Sequence, residues 1–373
     1  MPPIATASTC ACGARTATAC RSAPASPSSA CRPDTTDTQN KSNGDKTDMH
    51  SKLTRRHALA LTAALATGST FAQPAAWPDK PIRLIVPYAA GGGTDVFARI
   101  VAEGLGKRLG QSVIVDNRPG GNGQIGITAV QRAPADGYTV LFSLTSIIQN
   151  PLLYPNPGFD PFKDFVPVSE AGRLPIVFTV SNKLGVDTLD GFVKLARAAP
   201  GKYSYGSYGN GSSAHLYAEV LQDAAGIKLL HVPYKGEAPA ITDLLGGTVD
   251  AVFVSAKGVG PHVAAGKAKS VAVVGTARAP LANSVPTFKE QGFAGMESVG
   301  WFGVYLPAGT PQPIAQRLSS EIAQVVQSPE QAARIDGLGV IPVGSTPAQL
   351  TATMRADHER WKQVIQAKNI RLD

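Results

Sequence analysis

From Trp77 onward the apolar positions alternate between two rhythms. PIRLIVPY (81–88) is a short apolar run of strand length. After a glycine turn, Phe97, Ile100, Val101, Leu105 and Leu109 fall at helical spacing, which predicts a helix from Thr94 with one core-facing stripe. SVIVDN (112–117) is the next strand, stopped by Arg118-Pro119-Gly120-Gly121. A helix over 125–132, Gly137 and the strand YTVLFS (138–143) follow. A second series starts near Leu174, with strands over 175–180, 202–206, 227–234, 248–255 and 270–275. Helices over 188–199, 213–225, 237–245 and 259–265 separate them. WFGVYLPAG (301–309) reads as a returning strand, followed by helices over 311–327 and 347–367. In the last helix Leu350, Met354, Trp361 and Ile365 share a face, so it packs against something. Strand–helix repeats of this length predict an α/β protein with sheets covered by helices. Two such series predict two lobes, with the C-terminal helices returning to the first.

Charge and cysteines matter chiefly for what precedes this body. The net charge of +8 suggests nucleic acid until it is located. Residues 1–72 hold eight Lys and Arg against four Asp and Glu, leaving 27 against 23 in residues 73–373. The body has no basic stripe interleaved with aromatics, so no nucleic-acid partner is expected. Cys10, Cys12, Cys20 and Cys31 lie among Ala, Ser, Thr and Pro, a composition that cannot bury enough apolar surface to order itself. Residues 1–48 are therefore expected to be disordered. Residues 49–72 combine Lys52, Arg55 and Arg56, an apolar stretch from Ala58 to Ala66, and small residues at Thr70 and Ala72. That is the anatomy of a cleaved export signal, by the general secretory or twin-arginine route. A signal starting at Met49 makes residues 1–48 an upstream extension of the true start. The mature chain is then cysteine-free and expected in the periplasm.

Candidate chemistry clusters in glycine-rich turns. Tyr88-Ala89-Ala90-Gly91-Gly92-Gly93-Thr94-Asp95 joins a strand to a helix. Bare glycine backbone and unpaired N–H groups at a helix start make an anion cradle, and the same residues also suit a tight turn capped by Thr94 or Asp95. Asp95 would repel an anion, so it is assigned to holding the loop or a water. Residues 121–126 spell G-x-G-x-x-G, but the next strand ends without the carboxylate that a dinucleotide ribose needs. Tyr205-Gly206-Ser207-Tyr208-Gly209-Asn210-Gly211-Ser212-Ser213-Ala214-His215 gathers hydroxyls, an amide and glycines before a helix, a second cradle. Ser143, Thr145 and Asn150 follow the third strand, at the edge where open α/β sheets bind ligands. Asp250 either turns toward the cleft or makes a turn. His215 and Glu219 stand four apart on a helix without a third metal ligand nearby. The chain lacks a G-x-S-x-G elbow and a cysteine nucleophile in its body, so cradles without a reactive group are expected, and no metal or cofactor.

WPDKPIRLIVPYAAGGGTDVFAR, VDNRPGGNGQIG, DGYT, YGSYGNGSSAH, HVPYKGEAPAITDLLGGTVDAVF and LPAGTP occur in this order. Through them the chain from Trp77 to Asp373 resembles the Bug-type receptors of tripartite tricarboxylate transporters. The resemblance implies a periplasmic binding protein of type II: two lobes, each a mixed sheet flanked by helices, with the ligand cleft between them. It implies a first lobe over 77–173 plus 296–373 and a second over 174–295. It also implies a non-catalytic monomer that closes on a small carboxylate and delivers it to membrane permease subunits. The matching ligand positions are Tyr88, Ala90, Gly91, Gly92, Ser143, Thr145, Ser207, Asn210, Ser213 and His215; Asp95 and Asp250 join them on the local reading above. Ala89-Ala90, where the family commonly has proline, and Gly121-Asn122-Gly123 depart from the pattern in loops that shape the cleft. Two rival readings are a ligand-presenting partner of a sensor kinase and a dinucleotide-dependent enzyme using residues 121–126.

Overall fold

A computed structural model describes residues 77–372; the cysteine-bearing segment 1–48 and the export signal expected over 49–72 lie outside the described residues. The first sheet is built around β1 (Ile82–Val86), with β2 (Val113–Asn117) and β3 (Thr139–Leu144) parallel to it on either side. Next come β4 (Phe165–Leu174), β5 (Ile176–Ser181), β6 (Ser204–Ser207), β7 (Leu230–Pro233), β8 (Ala251–Ser255) and β9 (Ala268–Val273). The last two are β10 (Gly300–Pro307) and β11 (Ile341–Pro342). The first sheet runs β11-β4-β10-β3-β1-β2 and the second β7-β6-β8-β5-β9. The chain leaves the first sheet at Leu174, enters the second at Ile176, and returns after β9 to form β10. Only Pro175 separates the two strands of the outward crossing, so the crossing is a single extended segment.

Helices close both faces. In the first lobe they are α1 (Gly93–Leu109), α2 (Gln124–Gln131) and α3 (Ser146–Leu153); in the second, α4 (Leu189–Ala198), α5 (Ser213–Ala225), α6 (Glu237–Gly246) and α7 (Ala256–Ala264). After β10 come α8 (Gln312–Gln327), α9 (Pro329–Asp336) and α10 (Pro347–Ala367). The stripe of α1 packs Phe97 edge-on to Phe142 and Phe302, at centroid distances of 5.3 and 5.0 Å. Each fully buried ring contributes about 2–3 kcal/mol by removal of apolar surface from water. Thr346 opens α10 with a capping box to Gln349, and Pro347 fixes its first turn.

α10 does more than return to the first sheet. Trp361, Met354 and Leu350 join one apolar cluster with Leu141 and Ile147 of the first sheet's elements and Phe178, Phe253 and Tyr217 of the second's. Trp361 and Tyr217 meet ring to ring at 5.4 Å. The lobes therefore share buried surface as well as crossing strands.

Candidate functional site

Parallel β1 and β3 deliver their carboxyl ends to one edge of the first sheet. Parallel β6 and β8 do the same in the second. After β1 the chain turns through Gly91, whose φ of +81° suits glycine. Its N–H donates to Asp95 Oδ2 at 2.8 Å. Arg99 Nε donates to the same oxygen at 3.0 Å, and Asn117 Nδ2 donates to Oδ1 at 2.9 Å and to the Tyr88 carbonyl at 3.1 Å. Burial pushes the Asp95 carboxyl up, but the bonds from Arg99, Gly91 and Asn117 outweigh it and hold the group below its ordinary range. Asp95 is thus a buried anion that fastens its own loop.

The Gly91 amide is spent on that carboxylate. The cradle consequently begins one residue later, at Gly92, which opens α1 with no side chain capping the helix. A side chain added at Gly93 would meet open space, and Gly92 and Gly93 are exposed. Ala90 is exposed at the loop's tip.

Beneath the loop lies a group of hydroxyls. Tyr88 Oη bonds to Ser146 Oγ, and burial raises the Tyr88 phenol above its ordinary range. Ser143 is fully buried, yet its Oγ has no protein partner; the Tyr305 hydroxyl is in the same position. Buried polar groups without partners are uncommon because each costs on the order of 1–3 kcal/mol. Thr145, at the start of α3, reaches across to the other lobe. Its Oγ1 lies 3.3 Å from Ser213 Oγ, and Gln149 Nε2 donates to the same oxygen at 3.2 Å. Asn150 turns away from this group to exchange bonds with Asn122.

Across the cleft, Ser213 is the first residue of α5. Ser212 caps that helix, accepting from His215 N at 3.4 Å and donating to the Gly209 carbonyl at 2.6 Å. Ser207 is engaged within its own turn, where its Oγ lies 2.7 Å from His231 Nε2 and donates to the Gly209 carbonyl at 3.0 Å. His215 accepts from Gly211 N at Nδ1 and stacks on His231 with centroids 4.1 Å apart. Its Nε2 is 3.9 Å from Glu219. Burial pushes both imidazoles down to about 4. Asn210 stands exposed at the tip of the turn.

Asp250 requires a correction. Its Oδ2 accepts from Ser204 N at 2.8 Å and from Ser204 Oγ at 3.0 Å. Ser204 begins β6, whereas the cradle follows its last residue, Ser207, so Asp250 ties together the far ends of β6 and β8. Of the two alternatives open in the sequence, the structural tie is the one observed. The G-x-G-x-x-G run is likewise explained by packing: a Cβ on Gly126 would sit 2.6 Å from Pro87 Cβ and 2.8 Å from Pro87 Cα.

Sequence reasoning missed several members of the site. Tyr208 was passed over between its chosen neighbours; burial raises its phenol above its ordinary range. Gln149 and Ser146 lie on a helix, interrupted by Pro151, that the apolar rhythm did not predict. Asn117 is the last residue of its strand, and only its two bonds mark it as the loop's brace.

Comparison with known proteins shows the family and the fold. The family model of the tripartite tricarboxylate transporter family receptor matches residues 97–370. The UPF0065 protein in the tcbD-tcbE intergenic region of Pseudomonas sp. (strain P51) is 37% identical over 314 residues, covering 83% of this chain and 94% of the relative. The structure of the periplasmic binding protein BugD superposes with a TM-score of 0.69 at 32% identity, covering 79% of this chain and 99% of that one. An R. palustris protein solved with adipate gives 0.70 at 34% identity, covering 78% and 97%. The chain belongs to the tripartite tricarboxylate transporter receptor family, with the two-lobe α/β fold of its periplasmic binding proteins.

Proposed function

We propose that this protein is a periplasmic receptor that captures a small carboxylate between the first turn of α1 and the start of α5. The lobes would close on it about the crossing strands and pass it to the membrane subunits of a tripartite transporter. The observation that carries this reading is the hydroxyl contact of 3.3 Å between Thr145, at the start of α3 in the first lobe, and Ser213, at the start of α5 in the second, with the start of α1 left uncapped at Gly92. Backbone N–H groups and the positive ends of two helix dipoles favour an anion without a lysine or arginine. Ser143 and Tyr305 supply buried hydroxyls with unspent bonding capacity beneath the loop. A micromolar receptor needs about 8 kcal/mol of binding free energy. A few charge-assisted hydrogen bonds plus lobe closure are of that order. The groups around the gap are hydroxyls, amides and backbone, and the Ser207 hydroxyl that lies 2.7 Å from His231 Nε2 donates its proton to the Gly209 carbonyl, so the pair braces its turn, which supports binding rather than chemistry. That the relative from R. palustris was solved with adipate supports the ligand class. Export by the signal over 49–72 and action as a monomer complete the proposal.

Melting curves against a panel of organic acids test it. A true ligand raises the midpoint progressively with the logarithm of its concentration above saturation. A broad panel of mono-, di- and tricarboxylates that leaves the curve unmoved would defeat the proposal.

A further inference from the structure

The outward crossing from β4 to β5 has a front and a back. In the first sheet β1, which leads into the α1 cradle, lies on one side of β4 and β11 lies on the other. In the second sheet β6, which leads into the α5 cradle, lies on one side of β5 and β9 lies on the other. Both cradles are therefore in front of the crossing. Behind it is a largely apolar cavity of about 220 Å³ that reaches Pro175, the residue between the two strands. Val340 and Ile341, with Asp336 at the end of α9, form its first-lobe wall; Ala256, Ala279 and Leu281 form its second-lobe wall. Each wall is fixed to its own sheet beside the crossing. Ile341 pairs with Arg173 of β4, and Ala256 directly follows Ser255, which pairs with Ile176 of β5. The walls already touch at one point. A Cβ on Gly339 would lie 2.7 Å from Lys257 Cβ and 3.1 Å from Leu281 Cδ1, so the first lobe meets the second there through bare backbone. Leu281 borders both this contact and the cavity, and it is 50% exposed.

Resting on the carboxylate-receptor reading and its hinge closure, we infer that this cavity is the room into which the back of the molecule folds when the front opens, with Leu281 as the wedge that limits the swing. A rotation about the crossing that parts the two cradles brings β11 and the Ala279–Leu281 segment together. Packed side chains do not compress, so the swing ends when Leu281 meets Val340 and Ile341. The free energy of the ligand-free open state is then set behind the hinge, by residues on the far side of the crossing from both cradles. Bulk added to either wall disfavours opening and raises the fraction of molecules ready to bind; apparent affinity rises by the same factor. Removing bulk does the reverse.

Small-angle X-ray scattering of the ligand-free full chain, together with calorimetric titration against adipate and malate, tests the inference. Leu281→Trp is expected to lower the ligand-free radius of gyration and to tighten binding of whichever acid the unaltered protein takes, by roughly three- to tenfold. Leu281→Ala is expected to raise the radius and to weaken the same acid. Asp336→Leu adds apolar bulk from the first-lobe wall, at an exposed position, and is expected to act like Leu281→Trp. Ligand-free melting checks folding; if Leu281→Trp does not fold, Asp336→Leu takes its place. Radii and affinities that stay unchanged across the variants, or that move in the reverse order, overturn the inference. Should neither acid bind the unaltered protein, that result counts against the carboxylate-receptor reading alone. The ligand-free radii then decide the inference, and equal radii in all variants overturn it.

Discussion

His215 and His231 stack on one another beneath the α5 cradle, and Tyr205 extends the stack at 4.8 Å from His231. Burial holds both imidazoles neutral, down to about 4 against 6.5 for the free side chain. Between those values the unfolded chain binds protons that the folded chain refuses, so stability falls as pH drops through 6.5 toward 4. Above pH 7 these two groups contribute no slope. Melting midpoints across pH 4–8 should be level with respect to them at the alkaline end and decline below 6.5. His231→Gln, which keeps a side-chain group able to bond Ser207, should flatten the decline. An identical slope in the variant would show that other groups carry it.

At this scale the sequence was informative about residue types and poor about allegiances. The glycine turn before α1 was legible because only glycine and helix-start chemistry explain three consecutive glycines there. That Gly91 gives its amide to Asp95, moving the cradle to Gly92, depends on a side chain folding back four residues. Asp250 looked equivalent to the site residues until the sheet order placed it at the opposite end of β6.

Elements were predicted well where the apolar period was clean. α1, α4, α5, α6, α8 and α10 all lie within a few residues of the positions that their stripes imply. β4 was missed because it carries Pro167, Ser169, Glu170 and Arg173, which break the apolar pattern. Those polar groups are satisfied by structure: Glu170 pairs with Arg173 at 2.5 Å, and Ser169 donates to the Ser345 carbonyl at 2.7 Å. α3 was missed because Pro151 sits inside a helix of only eight residues. The run over 121–126 shows the reverse error risk, since a familiar spacing arises here from close contact between α2 and the end of β1. Gly126→Ala should destabilise the fold by about 1–3 kcal/mol, because the added methyl meets Pro87 backbone that cannot step aside. Urea denaturation would register this as a lower midpoint at unchanged slope. A neutral or stabilising result would mean that α2 moves freely on the sheet.

For the whole molecule, two lobes joined by crossing strands were legible as two strand–helix series with a late return strand. Their shared apolar cluster was not. The face of α10 that carries Trp361 was visible as a stripe, but a stripe does not say which sheet it meets, and here it serves both. Leu372 and Leu153 pack against Gly211, in the turn before α5.

In the proposed function a carboxylate is held by backbone dipoles and hydroxyls from both lobes rather than by a side-chain cation. This is tested most directly by a crystal structure of the protein with an acid that shifts its melting curve. Carboxylate density is expected within hydrogen-bond reach of the first-turn amides of α1 and of the Ser213 hydroxyl. A ligand seated elsewhere, or a carboxylate paired to a lysine or arginine, would contradict it.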